Sequence, residues 1–236
     1  MDHTLHAGDR ILLKLSGEAL KWSGSYGFDV KYLDLLAKKI VWLYHQWLQI
    51  VIVLGWGNIF RGAKWEELGM DRATGDYIGM IATIINGVAL GEAIERNGVD
   101  VRVTSAIEIN KVAETFIRKR VLRHIEKGRI VICVGGTGNP YCTTDSAAVN
   151  RALELNCRVL VKGTKVNGVY DKDPVKHTDV LRFDVLNIQD ALKLGISVMD
   201  HSAIALAMDE KLALFVCHID DIDQIMTPDI QGTWVL

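Results

Sequence analysis

The sequence predicts an α/β protein, a three-layer αβα sandwich built on a mostly parallel central sheet. Three observations carry that expectation. Apolar runs rich in β-branched residues recur at residues 10–15, 49–54, 99–104, 129–134 and 158–162, most of them apolar almost throughout. Strands buried on both faces read this way, whereas half-exposed strands alternate. Segments with helical periodicity stand between the runs. Two of the runs also end in glycine-rich turns, at residues 55–62 and 135–145.

The elements follow in order. Arg10-Ile-Leu-Leu-Lys-Leu15 is the first strand, leaving Lys14 where strand meets loop and Ser16-Gly17 just beyond. Asp29 is placed to cap a helix whose apolar positions Val30, Leu33, Leu36, Ala37, Ile40 and Leu43 recur at helical spacing. Gln49-Ile-Val-Ile-Val-Leu54 is the second strand. A long helix over about 75–97 places Ile78, Ile81, Ala82, Ile85 and Val88 on one apolar face. A strand at 99–104, a helix at 111–127 and a strand at 129–134 come next. Asp145 is expected to cap the helix that opens at Ser146, and 158–162 is the last of the parallel strands. Beyond it, 168–174 is turn-rich, 187–193 and 202–209 read as helices, and 213–217 reads as a strand. Three prolines, no repeat and no linker suggest a single domain over 1–236, with lobes of about 1–160 and 161–236.

Composition narrows the class. At 236 residues the chain can bury an ample core. A formal charge of −2 gives no basic field to hold nucleic acid. The apolar stretches fall short of the roughly 18 residues a membrane span needs. Met1-Asp-His-Thr-Leu-His-Ala has neither the basic start nor the apolar centre of a secretion signal, so a cytoplasmic protein is expected. Cys133, Cys142, Cys157 and Cys217 lack metal or redox spacing and are expected to be small buried apolar residues.

The chemistry is concentrated at strand ends. A glycine-rich turn between a buried strand and a helix presents backbone N–H groups at the positive end of the helix dipole, which suits phosphate. Thr143 and Thr144 add hydroxyl donors to the turn at 135–145, and the turn at 55–62 is a second cradle, so two phosphorylated ligands are expected to meet. Ligands of open α/β sheets collect at the carboxyl ends of the strands, where Lys14 supplies the cation that a phosphoryl transfer requires. Arg61 is placed to reach a phosphate, or to form a surface ion pair. Asp76 is placed to accept a ribose hydroxyl, or to pair with Arg72 one helical turn away. In the irregular stretch after the last parallel strand, the Tyr170 ring can stack on a base and the Asp173 carboxylate can take ribose hydroxyls, though these two and Thr164 are common in loops. There is no G-x-x-x-x-G-K-[ST], which excludes a P-loop enzyme, and no G-x-G-x-x-G at 91–98.

Together, Lys14-Leu-Ser-Gly-Glu18, Gly57-Asn-Ile-Phe-Arg-Gly62, Met70-Asp-Arg-Ala-Thr-Gly-Asp76, Gly136-Thr-Gly-Asn-Pro140, Thr143-Thr-Asp-Ser-Ala147 and Lys162-Gly-Thr-Lys-Val-Asn-Gly-Val-Tyr170 resemble the bacterial uridylate kinases of the amino acid kinase family, from about Arg10 to Leu236. The resemblance implies an amino acid kinase-like fold and a cytoplasmic, homohexameric enzyme. It implies that UDP is made from ATP and UMP, with Mg²⁺ carried by the nucleotide phosphates. It assigns Lys14, Leu15, Ser16, Gly17, Gly57 and Arg61 to the ATP phosphates and Thr164, Tyr170 and Asp173 to adenosine. Position 56, Asp76 and the loop of Thr137, Gly138, Asn139, Pro140, Tyr141, Cys142, Thr143 and Thr144 are assigned to UMP. Asp145 is implied to orient the catalytic cations, Lys14 and Arg61 among them. GTP as activator and UTP as inhibitor are further implied. Arg102 and Arg129 match basic residues of the GTP site, whereas Gly91, Glu95 and Arg118 do not match its others.

The chain departs from the family at tryptophan. Trp22, Trp47 and Trp56 stand where relatives have glycine, and six tryptophans against five phenylalanines is an unusual ratio. Trp56 falls in the expected UMP cradle, which works only where backbone meets phosphate without a Cβ between. Three explanations fit: UGA codons that some bacterial lineages read as glycine, an altered enzyme, or a non-catalytic nucleotide-binding relative with its acceptor pocket plugged. A fourth reading keeps the fold and changes the acceptor to another small phosphate or carboxylate.

Overall fold

The computed structural model describes residues 4–21, 27–59, 69, 71–177, 179–196 and 198–236. In chain order the strands are β1 (Arg10–Leu15), β2 (Gln49–Leu54), β3 (Val101–Ser105), β4 (Glu114–Thr115), β5 (Ile130–Val134), β6 (Val159–Thr164), β7 (Val169–Tyr170), β8 (Arg182–Phe183), β9 (Val185–Leu186), β10 (Ala213–His218) and β11 (Gly232–Val235). The α-helices are α1 (Val30–His45), α2 (Arg72–Glu95), α3 (Arg118–Glu126), α4 (Thr144–Glu154), α5 (Ile188–Lys193) and α6 (His201–Asp209).

Among these residues one sheet of nine strands runs in the order β4-β3-β5-β2-β1-β6-β10-β11-β9, parallel except where β11 meets β10. Side chains alternate across it. Ile11, Leu13, Ile50, Ile52, Ile130, Ile132 and Val161 enter one core with α1 and α2. Leu12, Val51, Val53, Val131, Cys133, Leu160 and Leu214 enter the other with α3, α4, α5 and α6. Both faces are covered, so period-2 geometry leaves the strands apolar at nearly every position. The three-layer, mostly parallel architecture read from the sequence is the one observed. The sheet runs unbroken across residue 160, since β1 lies between β2 and β6.

Three local expectations change. The first concerns α2, where Ile81 is 49% exposed and Ile85 47% exposed. The buried side is instead Gly79, Ala82, Thr83, Asn86, Gly87, Leu90 and Gly91. A Cβ on Gly87 would stand 2.3 Å from Val134 Cγ1, so at this point the helix comes too close to the sheet for a side chain, and Ile81 and Ile85 lie on the outward face. By length and composition α2 could cross a membrane (mean hydropathy 1.5), yet 61% of that window is buried inside the protein. The second concerns the helix expected at 111–127, which begins only at Arg118, after the short strand β4.

The third is the cap of α4. Thr143, not Asp145, is the N-cap, its Oγ1 accepting from the amides of Asp145 (3.1 Å) and Ser146 (3.2 Å). A threonine two residues earlier satisfies the same orphan donors and releases the Asp145 carboxylate for other partners. Asp29 does cap α1, accepting from the amides of Lys31 and Tyr32. The strands β8, β9 and β11 lie outside the sequence expectations, being two to four residues long and set by their neighbours.

Candidate active site

Lys14 and Lys162 are register partners on adjacent parallel strands. Equivalent positions point to the same face, so both side chains leave the sheet together near its carboxyl edge. Asp145, in the first turn of α4, meets them there. Lys14 Nζ lies 2.7 Å from Asp145 Oδ1, and Lys162 Nζ lies 2.8 Å from Oδ2 and 2.6 Å from the Val198 carbonyl. All three side chains are 12–14% exposed.

Burial pushes the Asp145 carboxyl upward, but the two ammonium groups more than reverse this and leave it below its ordinary value. Lys162 is held below the usual lysine value, first by burial and then by the Lys14 charge, with Asp145 opposing. The result is two cations fixed side by side by one carboxylate, a field that favours charge developing on a group placed between them.

Two cavities flank this cluster. One, of about 500 Å³, is lined by Lys14, Trp56, Arg72, Asp76, Met80, Thr83, Gly136, Thr137, Asn139, Cys142, Thr143, Thr144 and Asp145. The other, of about 450 Å³, includes Lys162, Thr164, Gly168, Tyr170, Asp173 and Leu194. Thr164, Tyr170 and Asp173, expected at adenosine, line one chamber, Asp76, Thr137, Asn139 and Thr144, expected at UMP, line the other, and the cluster contributes Lys162 to the first and Lys14 and Asp145 to the second.

Other expected residues fall in distinct places. Leu15 is buried in the core, leaving only its backbone for a ligand. Ser16, Gly17 and Gly57 lie at the same sheet edge but line neither cavity. A Cβ on Gly17 would stand 2.4 Å from the Gly55 carbonyl oxygen, so glycine lets the ends of β1 and β2 close on each other. Arg61 and Trp22 lie outside the described residues. Gly138, Pro140 and Tyr141 belong to the acceptor loop without lining its cavity, and Tyr141 is 65% exposed. Thr143 spends its hydroxyl on the helix cap and on a bond donated to Asp200. Cys133, Cys157 and Cys217 are buried as expected, whereas Cys142 is exposed on the cavity wall.

Trp56 neither fills the cavity nor blocks the approach of β1 to β2. Its indole packs on Gly79 of α2, where a Cβ would stand 2.8 Å from Cε2. Its backbone is outside the left-handed region, whereas Trp47, 79% exposed, has φ +66°. The two positions therefore differ: Trp47 occupies a glycine conformation just past the end of α1, and Trp56 does not.

Sequence reasoning gave Lys162 no role, although it quoted the motif containing it. Its importance rests on strand register with Lys14, which sequence alone does not display. Asp200, the N-cap of α6, was likewise missed. It accepts from the hydroxyls of Thr143 and Ser146 and from the Ala203 amide, joining the ends of α4 and α6.

Comparison with known proteins bears on the family and the fold. A sequence model of the amino acid kinase family matches residues 9–218. The uridylate kinase of Xanthomonas euvesicatoria pv. vesicatoria is 54% identical over 205 residues, covering 87% of this chain and 85% of its own length. That of Xanthomonas campestris pv. campestris is 53% identical over the same coverage. The UMP kinase structure from Bacillus anthracis superposes with a TM-score of 0.93 at 36% identity, covering 98% of this chain and 96% of that one. The UMP kinase from Ureaplasma parvum gives 0.92 at 36% identity, with 98% and 99% covered. A parallel sheet with an ion-paired cation cluster at its carboxyl edge, matched in sequence over most of its length, makes this chain a member of the amino acid kinase family.

Proposed function

We propose that the protein transfers the γ-phosphoryl group of ATP to UMP, giving ADP and UDP. The observation that carries the reading is the Lys14–Asp145–Lys162 cluster at the junction of two cavities, supported by uridylate kinases at 53–54% identity. ATP enters the chamber of Thr164, Tyr170 and Asp173, its phosphates meeting Lys14, Ser16, Gly17, Gly57 and Arg61. UMP enters beside Asp76, Thr137, Asn139 and Thr144. The transferred group then lies between Lys14 and Lys162, whose charges stabilise it while Asp145 fixes their positions. No residue need form a covalent intermediate, since positioning and electrostatics suffice for phosphoryl transfer.

Mg²⁺ fits this site as a companion of the nucleotide. Asp145 already carries two ammonium groups, so a cation arriving without phosphate ligands would meet net positive charge. Bound with ATP, it would neutralise phosphate oxygens.

The readings of a plugged pocket and of a different acceptor find no support in the cavity. About 500 Å³ stays open beside Trp56, with Asp76, Thr137 and Asn139 on its walls. Assembly into a homohexamer belongs to the same proposal, with the exposed Ile81, Ile85 and Val88 stripe of α2 as a contact between copies. A cytoplasmic location goes with it. Regulation by GTP and UTP is a further part of the proposal. Arg102 lies 4.0 Å from Glu95 and 3.7 Å from Glu114, and Arg129 lies 3.7 Å from Asp100, so an anionic effector must displace carboxylates.

The test is UDP formation from ATP with UMP, CMP and dUMP on the sequence as written. Preference for UMP by on the order of tenfold or more in kcat/KM is expected. Equal use of all three, or none, would overturn the reading.

A further inference from the structure

The first turn of α2 is tied to the acceptor loop through Arg72, Asp76 and Tyr141. The Tyr141 amide donates to Asp76 Oδ2 at 2.7 Å. Tyr141 itself sits at φ +64°, a left-handed conformation that a non-glycine residue keeps only where its surroundings hold it. The Arg72 guanidinium lies over the Tyr141 ring, 5.3 Å from its centroid, a favourable cation–π arrangement. Arg72 Nε is also 3.9 Å from the same Asp76 oxygen. Arg72 and Asp76 share one helical turn, and Asp71 caps that turn through the Thr74 amide, so this side of the contact is fixed.

The loop side has few hydrogen bonds to the rest of the protein among the described residues. Gly135, Gly136 and Gly138 all have positive φ, which leaves much backbone freedom. The loop is anchored at its base, where the Gly135 amide donates to Thr83, and at its end, where Thr143 meets Asp200. Between those points its hydrogen bonds among the described residues are internal, Gly138 N to Gly135 O and Asn139 N to Thr137 Oγ1. Tyr141 is the exception, because there the loop crosses to α2. The crossing stands at the rim of the acceptor cavity, whose walls include Arg72 and Asp76 on one side and Asn139 and Cys142 on the other.

We propose that Arg72, Asp76 and Tyr141 form a latch that fastens the acceptor loop to α2 and sets the width of the acceptor cavity. Arg72 and Tyr141 are then positioning residues for UMP, and this rests on reading the cavity as the UMP site. Asp76 serves twice. Oδ2 holds the loop, and Oδ1, which has no hydrogen-bond partner among the described residues, is left for the ligand.

Two measurements test it. Hydrogen exchange at the residue 141 amide reads the latch without any ligand. Slow exchange is expected in the parent, accelerated about tenfold or more in Arg72→Met and Tyr141→Ala and unchanged in Tyr141→Phe, which keeps the ring. Steady-state kinetics read its consequence. Arg72→Met and Tyr141→Ala should raise the UMP KM about tenfold, with kcat within about twofold and the ATP KM unchanged. Arg72→Met that raised the UMP KM without altering ligand-free exchange would mean direct contact with UMP and would overturn the latch. So would a residue 141 amide that exchanges freely in the parent. A parent that made no UDP would instead remove the UMP reading, and the exchange rates would still decide whether the latch exists.

Discussion

Lys14 and Lys162 are side-by-side partners on β1 and β6, and each holds one oxygen of the Asp145 carboxylate, at 2.7 and 2.8 Å. Two like charges placed this close are tolerable only because a buried anion divides itself between them. A phosphoryl group, with negative charge spread over its oxygens, would be attracted to both. The ligand-free site therefore already holds both cations side by side.

Lys162→Met should cost about as much in kcat as Lys14→Ala, on the order of a hundredfold or more, corresponding to about 3 kcal/mol of transition-state stabilisation. Circular dichroism should show both variants folded. If Lys162→Met kept activity within about threefold of the parent, the role given to strand register would be lost.

The pH profile should lose activity on its alkaline side below the ordinary lysine value of about 10.4, because burial and Lys14 lower the Lys162 pKa. Lys162→Arg should move that limb upward, whatever its effect on the maximum, since a guanidinium keeps its proton. The acid side works in the opposite sense. Asp145 is depressed in the folded state, so its stabilising contribution is present above its unfolded value, about 3.9, and is lost as pH falls through the folded one. Chemical denaturation of Asp145→Asn against the parent at several pH values would show the difference in stability shrinking in strong acid.

Trp56→Gly should leave the ATP KM unchanged, because the indole lines the acceptor cavity alone. A gain in UMP turnover of more than about tenfold would mean that the ring obstructs the acceptor. The open cavity beside the indole points to a smaller change. UMP binding should also alter tryptophan fluorescence in the parent and do so much less in this variant.

Trp47→Gly should stabilise the protein by about 1 kcal/mol, since a bulky residue at φ +66° is relieved. Nothing buried is lost, as the side chain is 79% exposed. Thermal unfolding of the two proteins would settle it, and a destabilised variant would mean that the exposed indole makes contacts worth more than the strain. This outcome bears on the misread-codon reading more directly than Trp56 does, because at 47, and not at 56, the backbone itself asks for glycine.

The sequence by itself determined the alternation of buried strands with helices, because a strand covered on both faces must be apolar at every position, and that pattern is local. It also placed Lys14, Asp76 and the loop around Thr144 at strand and helix ends, where chain punctuation by glycine and threonine is visible. Strand neighbours, helix faces and side-chain partners needed the tertiary structure. Lys162 became part of the site through its register with Lys14, 148 positions away in the chain. Asp145 was freed to join both lysines because Thr143 had taken its place as cap. The outward turn of Ile81 and Ile85 follows from how closely Gly87 lets α2 approach β5. Each of these is a distance between segments remote in sequence, and periodicity within a segment carries no information about such distances.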